Sequence, residues 1–290
     1  MRNTSNPTSA RPDPAPGRVL GSGVHTGTVA LITGGGTGIG RATALDLAAA
    51  GAKVVVCGRR PGPLEETRQA VARLGGSCLV VPADIREEEQ VSAVVGRTLA
   101  VYGRIDVLVN NAGGQFSAPA EEISLKGWRA VHRLAVDAAW AVTREVAVRA
   151  MIPQRSGVVF FIAFSPRRGI PGFAHASSAR AAVENLAAGL SQEWSRYGIR
   201  SVCVAPGTIA TEGLDENYTE AELKGWERSV PLGRFGRPED VSGVIAFLAS
   251  RAASYVTGTT VVVDGGADAW GTGHPAPRSA GPPRSPDDVP

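Results

Sequence analysis

Between residues 28 and 270, short apolar runs rich in β-branched residues alternate with longer Ala-rich stretches. The runs are Thr28–Thr33, Ala52–Cys57, Cys78–Val81, Ile105–Asn110, Gly157–Ile162, Arg200–Ala205 and Thr260–Val263. Helical patterns fill the intervals at roughly 38–50, 64–74, 86–102, 123–151, 174–197 and 238–250. Strands that are apolar throughout and separated by helices predict a parallel sheet covered on both faces. Asp84 and Pro238-Glu239-Asp240 supply helix-start chemistry. No repeat of fixed period interrupts the alternation. The expectation is an α/β fold, one doubly wound domain with a seven-stranded parallel sheet and helices on both faces.

Composition narrows the setting. Of 290 residues 43% are hydrophobic and 20% charged, and no apolar run approaches the ~18–20 residues that span a bilayer, so no membrane partner is expected. Half of the 20 prolines fall in residues 1–27 and 271–290, which predicts flexible tails around a body at 28–270. Net charge is +3 with the arginines scattered, which speaks against a nucleic-acid partner. The N-terminal stretch has no apolar core of a secretory signal. Cys57, Cys78 and Cys203 each lie in a strand-like run and read as reduced core thiols of a cytoplasmic protein. No metal site is expected.

The first strand is followed by Thr33-Gly34-Gly35-Gly36-Thr37-Gly38-Ile39-Gly40 and then a helix. Glycines there let the backbone turn tightly and approach a pyrophosphate, while the helix N-terminus supplies N–H donors and a positive dipole. This is Rossmann-type dinucleotide binding. The end of the second strand selects the dinucleotide. An NAD site places an acid there for the ribose 2′-hydroxyl; this chain has Gly58-Arg59-Arg60, and Arg41 just after the glycine turn. Guanidinium forks suit a dianionic 2′-phosphate, so the expected cofactor is NADP(H).

With Asp84-Ile85, Asn110-Asn111-Ala112-Gly113, Ala205-Pro206-Gly207 and Val263-Asp264-Gly265-Gly266 added to the glycine turn, residues 28–267 resemble the short-chain dehydrogenase/reductase family. The resemblance implies that Asp84 and Ile85 flank the adenine. It puts Asn110, Ala112 and Gly113 along the cofactor cleft. Pro206, Gly207, Thr208, Ile209 and Thr211 would lie toward the nicotinamide, with a lid near 208–230. Members of the family reduce carbonyls with a Tyr acid, a Lys four residues later, a preceding Ser and a helix-four Asn. Those positions correspond here to Ala176, Arg180, Ala163 and Ala135. None of the four tyrosines has a Lys four positions on, so no shift of register restores the pair. Related proteins assemble through the helices at 123–151 and 174–197, implying a homotetramer or homodimer.

Carbonyl reduction creates an alkoxide and needs a proton delivered as charge develops. Conjugate reduction of an enoyl thioester creates an enolate, which needs donors at its oxygen and accepts a weaker acid. Asn111-Ala112-Gly113-Gly114-Gln115-Phe116, Pro119-Ala120-Glu121, Lys126-Gly127-Trp128 and His175 through Arg180 resemble the 2,4-dienoyl-CoA and trans-2-enoyl-CoA reductase branch. The Tyr, Ser and Asn of its dienoyl members correspond to Ser165, Ala176 and Asp137, a departure that favours plain or cyclic 2-enoyl thioesters, including 1-cyclohexenylcarbonyl-CoA. The expected activity is NADPH-dependent reduction of the C=C bond of an acyl-CoA or other acyl thioester. Arg180 is the candidate cation for the cofactor ribose and the oxyanion, Ser165 a hydroxyl donor, and His175 a proton source for the α-carbon. Ser177 and Ser178 suit the first helical turn, Arg167-Arg168 the CoA phosphates, and Tyr218 a lid; His132 and Asp137 are further candidates. Two other readings stay open: a non-redox or regulatory NADP(H)-binding protein, and a carbonyl reductase with a substitute proton donor.

Overall fold

A computed structural model describes residues 21–165, 169–211 and 227–270, with the backbone of 223 and 225. Seven parallel strands form one sheet in the order β3-β2-β1-β4-β5-β6-β7. They are β1 Val29–Thr33, β2 Lys53–Gly58, β3 Ser77–Pro82, β4 Val107–Asn110, β5 Gly157–Ile162, β6 Ile199–Pro206 and β7 Thr260–Val263. Connecting them are α1 Gly38–Ala49, α2 Pro61–Arg73, α3 Glu88–Tyr102, the helical run 125–154, α7 Ala174–Trp194 and α8 Pro238–Ala249, with α9 Ala267–Trp270 after β7. The strand order reverses direction between β1 and β4, where an open α/β sheet leaves a crevice beyond its carboxyl ends.

Strand alternation builds two cores, one on each face of the sheet. In β5, Phe160 packs with Ile32, Val54 and Ile245 on one face, and its neighbour Phe161 packs with Leu31, Val142 and Val183 on the other. Each such side chain withdrawn from water contributes about 1.5–3 kcal/mol before entropy is counted. Cys57 and Cys203 are buried and Cys78 half-buried, all three free. Burial pushes the Cys57 and Cys203 thiols up to about 12, so neither is a thiolate at neutral pH.

The helix expected over 123–151 is a composite. It runs as α4 Leu125–His132, a π turn Arg133–Asp137, α5 Ala138–Val146, a second π turn Ala147–Met151 and α6 Ile152–Gln154. The second wide turn precedes Pro153, whose ring cannot donate and crowds the carbonyl four residues back. Widening the helix there relieves the conflict.

Packing also begins upstream of residue 28. Within residues 21–27, the amides of Gly23 and His25 donate to the Ala50 carbonyl at 3.1 and 2.8 Å. His25 is buried, and its Nε2 donates to the Ala246 carbonyl at 3.0 Å, tying this segment to α8. Described residues 21–27 are therefore part of the folded body, where a tail was expected. Burial lowers the His25 pKa below its usual 6.5. The unfolded chain then takes up a proton that the native state resists, so stability is full above pH 6.5 and falls as pH drops below it. The melting temperature should decline between pH 7 and 5, and His25→Gln should flatten that decline in a calorimetric pH series.

Candidate cofactor and substrate cleft

At the β1 exit the chain turns through Gly34 (φ +64°) and Gly38 (φ +50°), backbone that L side chains rarely adopt. Two other glycines serve close approach. A Cβ on Gly35 would lie 2.6 Å from Val56 Cγ1, and one on Gly40 would strike the Gly34 carbonyl and sit 2.5 Å from Asn111 Nδ2. Thr33 fixes the turn to β4: its Oγ1 donates to the Val109 carbonyl at 3.3 Å and accepts from the amides of Asn111 and Ala112, both at 3.0 Å. Asn111 Nδ2 donates to the carbonyls of Thr33 (3.0 Å) and Gly34 (3.2 Å). Gly40→Ala should therefore cost about 1–3 kcal/mol in a urea titration, since the added methyl meets the Gly34 backbone and the Asn111 amide that secures the turn. Gly62→Ala in α2, where nothing lies within 4 Å of the new methyl, should be neutral or mildly stabilising.

Above the turn lies a cleft of about 290 Å³. Of the residues expected to bind cofactor, the cleft is lined by Gly34, Gly36, Thr37 and Ile39 from the turn, Arg59 and Arg60 after β2, Asp84 and Ile85 after β3, Ala112 and Gly113 after β4, and Thr211. Asn111, Cys57, Gly58, Pro63, Leu64 and Leu134 also line it and were not anticipated. A Cβ at any of Gly34, Gly35, Gly36 or Gly40 would meet neighbouring atoms at 3.0 Å or less, so the turn packs this closely only with glycine; Gly34 and Gly36 bring bare backbone to the cleft wall beside the α1 N-terminus, an arrangement that fits a pyrophosphate.

Several expected residues lie elsewhere. Asn110 is buried and donates to Thr143 Oγ1 at 2.8 Å, directed into the layer of α5 and away from the cleft. Gly38 and Gly40 serve the turn itself. Arg41 lies 3.9 Å from Glu66. Pro206 and Gly207 close the end of β6, where a Cβ on Gly207 would fall 2.7 Å from Asp264 Cβ. The Thr208 carbonyl accepts from Gly236 at 3.0 Å, and Ile209 is buried.

Charge at the β2 and β3 end of the cleft is arranged by pairing. Arg86 forks onto Asp84, with a closest approach of 2.5 Å, and holds its carboxyl down at about 2. Among the described residues neither Arg59 nor Arg60 forms an ion pair, and both are exposed.

Arg180, also expected at the cofactor, is not among the residues lining the cleft; it projects half-buried from α7 against Gly113, which does line it. A Cβ on Gly113 would run into its guanidinium, and its Nη1 donates to the Ile162 carbonyl. Burial lowers its pKa, yet guanidinium stays charged at any working pH. No carboxylate pairs with it among the described residues. Ala135, Ala163 and Ala176 are all buried. Ala135 and Ala176 join Val131, Phe173 and Ala179 in a small apolar cluster.

Ser165 does not present a free hydroxyl. Its Oγ donates to Asp264 Oδ2 at 2.6 Å and its amide to the Pro206 carbonyl at 2.7 Å. A hydroxyl has one hydrogen, so in this arrangement Ser165 cannot donate to an oxyanion; its role is to join the ends of β5, β6 and β7. His175 is fully buried beneath Phe116. Ser177 accepts from the Ile170 amide at 3.3 Å, and Ser178 donates to the His175 carbonyl at 3.0 Å. His132 stacks on Trp128 and lies 3.2 Å from Ser178 Oγ. Asp137 is exposed. Arg167, Arg168 and Tyr218 fall outside the described residues. The π turn 133–137, with no sequence signal of its own, puts Leu134 in the cleft and Ala135 in the apolar cluster. Among the described residues no group of side chains could hold a metal ion, and no helix is long and apolar enough to cross a membrane.

Comparison with known proteins follows the same lines. A family model described as enoyl-(acyl carrier protein) reductase matches residues 34–268. A Bacillus subtilis (strain 168) protein named as a probable 2,4-dienoyl-CoA reductase, (2E)-enoyl-CoA-producing, is 36% identical over 240 residues, covering 81% of this chain and 94% of its own. Gluconate 5-dehydrogenase of Gluconobacter oxydans (strain 621H) is 35% identical over 83% of this chain and 94% of its own. Among solved structures, a gluconate 5-dehydrogenase-type protein of Beutenbergia cavernae, described as NAD(P)-dependent and holding NADP at low occupancy, superposes with a TM-score of 0.79. It is 39% identical and covers 84% of this chain and 98% of its own.

Proposed function

The chain belongs to the short-chain dehydrogenase/reductase family of oxidoreductases, and from that premise we propose that it is an NADPH-dependent reductase of 2-enoyl thioesters. The observation that carries this reading is Arg180: a half-buried cation, without a carboxylate partner among the described residues, set against Gly113, which lines the cleft. Drawing a cation even partly out of water without an opposite charge is costly, and a site that develops negative charge on an oxygen gives it a purpose.

NADPH when bound supplies hydride to the β-carbon. The chain's own residues do the rest. The glycine cradle and the α1 N-terminus hold the pyrophosphate. Arg59 and Arg60 take the 2′-phosphate, and Asp84 and Ile85 bound the adenine. Arg180 stabilises the enolate oxygen as charge moves from the β-carbon onto the thioester. The buried alanines at 135, 163 and 176 keep that end of the site apolar, which strengthens the attraction. An enolate, unlike an alkoxide, needs no strong acid in place: it takes its α-carbon proton from water, which completes the saturated thioester.

The gluconate dehydrogenase relatives favour a second reading, reduction of a ketone. Against it stands the absence of any Tyr with a Lys four residues later. A panel of 2-enoyl-CoA esters and ketones, followed by NADPH absorbance, separates the two. Oxidation with enoyl esters alone supports the first reading, oxidation with ketones alone the second, and tight NADPH binding with no oxidation a non-redox protein.

Exposed Trp140 and Val148 on the helical run 125–154, together with Val101 on α3, support self-association as a homotetramer or homodimer. Three free thiols support a reducing, cytoplasmic setting.

A further inference from the structure

We propose that His175 is the hydrogen-bond donor that holds the carbonyl oxygen of an acyl thioester, at a position Phe116 covers; the inference rests on the enoyl-thioester reading above. His175 is 0% exposed, and neither ring nitrogen has a hydrogen-bond partner among the described residues. Buried polar groups are nearly always paired, and one left unpaired destabilises the fold. A phenyl ring would fill the same space without that penalty. Such a local conflict between stability and residue choice belongs at a ligand site.

The surroundings say what kind of ligand. Phe116 lies on the imidazole, ring centres 4.3 Å apart at 42°, and is itself 42% exposed, so it separates His175 from solvent. It can lie there because residue 127 lacks a side chain: a Cβ on Gly127 would fall 2.8 Å from Phe116 Cζ. Phe116 rides on the irregular segment that leaves the cofactor cleft at Ala112 and Gly113, and Gly113 touches Arg180. His175 thus stands beside the same segment as the proposed oxyanion cation. The residues flanking it, Phe173 and Ala176, belong to the apolar cluster. Burial and the neighbouring His132 both hold the His175 pKa below its usual value, leaving a neutral imidazole with one N–H to give. A neutral donor in an apolar wall suits a neutral, polarisable acceptor such as a thioester carbonyl. When Phe116 turns aside, the His175 N–H is opened to an acyl carbonyl brought to this segment.

The test uses the full chain saturated with NADP⁺ and butyryl-CoA as a saturated probe that cannot be reduced. His175→Phe should melt several degrees higher than wild type while binding butyryl-CoA about tenfold more weakly by calorimetry, the loss of one hydrogen bond. With four histidines in the chain, ¹⁵N-histidine spectra of the wild type should show the His175 ring signals move on adding the probe. Unchanged affinity in His175→Phe, a lowered melting temperature in that variant, or unmoved His175 signals in a wild type that binds butyryl-CoA would overturn the inference and leave the reductase reading standing. A wild type that binds NADPH but no acyl-CoA would overturn both.

Discussion

Arg180→Met should lower kcat with a 2-enoyl-CoA about a hundredfold or more while leaving the fold intact. Removal of one preorganised oxyanion donor typically costs 10²–10³ in turnover, and here the donor carries a full charge in an apolar setting. Methionine keeps most of the side-chain length and volume, so packing against Gly113 survives. Stability should hold or rise, because a half-buried cation with no carboxylate partner among the described residues is being replaced by an apolar group. The Ile162 carbonyl, which accepts from Arg180, loses one partner and offsets part of that gain. NADPH affinity should change far less than kcat, since the glycine cradle and the 2′-phosphate site lie elsewhere in the cleft. Steady-state kinetics with fluorescence titration of NADPH separates the two effects. Arg180→Lys, retaining the charge, should recover part of the rate; a kcat within twofold of wild type in Arg180→Met would remove Arg180 from the mechanism.

Arg59→Glu with Arg60→Glu should weaken NADPH binding about a hundredfold or more and leave NADH binding little changed or improved. Two charge-assisted hydrogen bonds to a phosphate contribute about 1.5–3 kcal/mol each, and reversing both signs adds repulsion. The variant's fold should be unaffected, as both residues are exposed and form no ion pair among the described residues. Because the site is open to water, the wild-type preference for NADPH over NADH should narrow as salt is raised from 0.05 to 0.5 M. Equal loss of both dinucleotides would mean that the arginines shape the cleft and do not read the phosphate.

Much of the fold was legible because continuous apolar strands and Ala-rich helices leave few alternatives. The sheet and most helix bounds follow from that pattern. What escaped depends on contacts between distant residues. The Ser165 bond to Asp264 spans 99 residues, and nothing local to Ser165 announces it. The burial of His25 comes from Ala246, far along the chain. The two π turns answer to Pro153 and to packing, which periodicity averages away. Asn110 is a different case, since the signal was present. Strand alternation puts it on the face of Leu108, which packs with Ala138 and Val142, and so leaves Asn111 to secure the glycine turn. In the cleft, glycine spacing and the pair of arginines anticipated residues that the fold brings together along its lining; beyond Gly113 the informative feature was the missing Tyr, Lys, Ser and Asn, which names no group in their place.

In the proposed reaction, hydride from NADPH reaches the β-carbon of an acyl thioester. Incubation with NADPH carrying deuterium in the transferable position and a 2-enoyl-CoA, followed by mass spectrometry and NMR of the product, tests it directly. The expected product is a saturated acyl-CoA with one deuterium at C3. Deuterium delivered instead to a carbinol carbon from a 3-oxoacyl-CoA or a ketone, with the enoyl ester returned unlabelled, would contradict it.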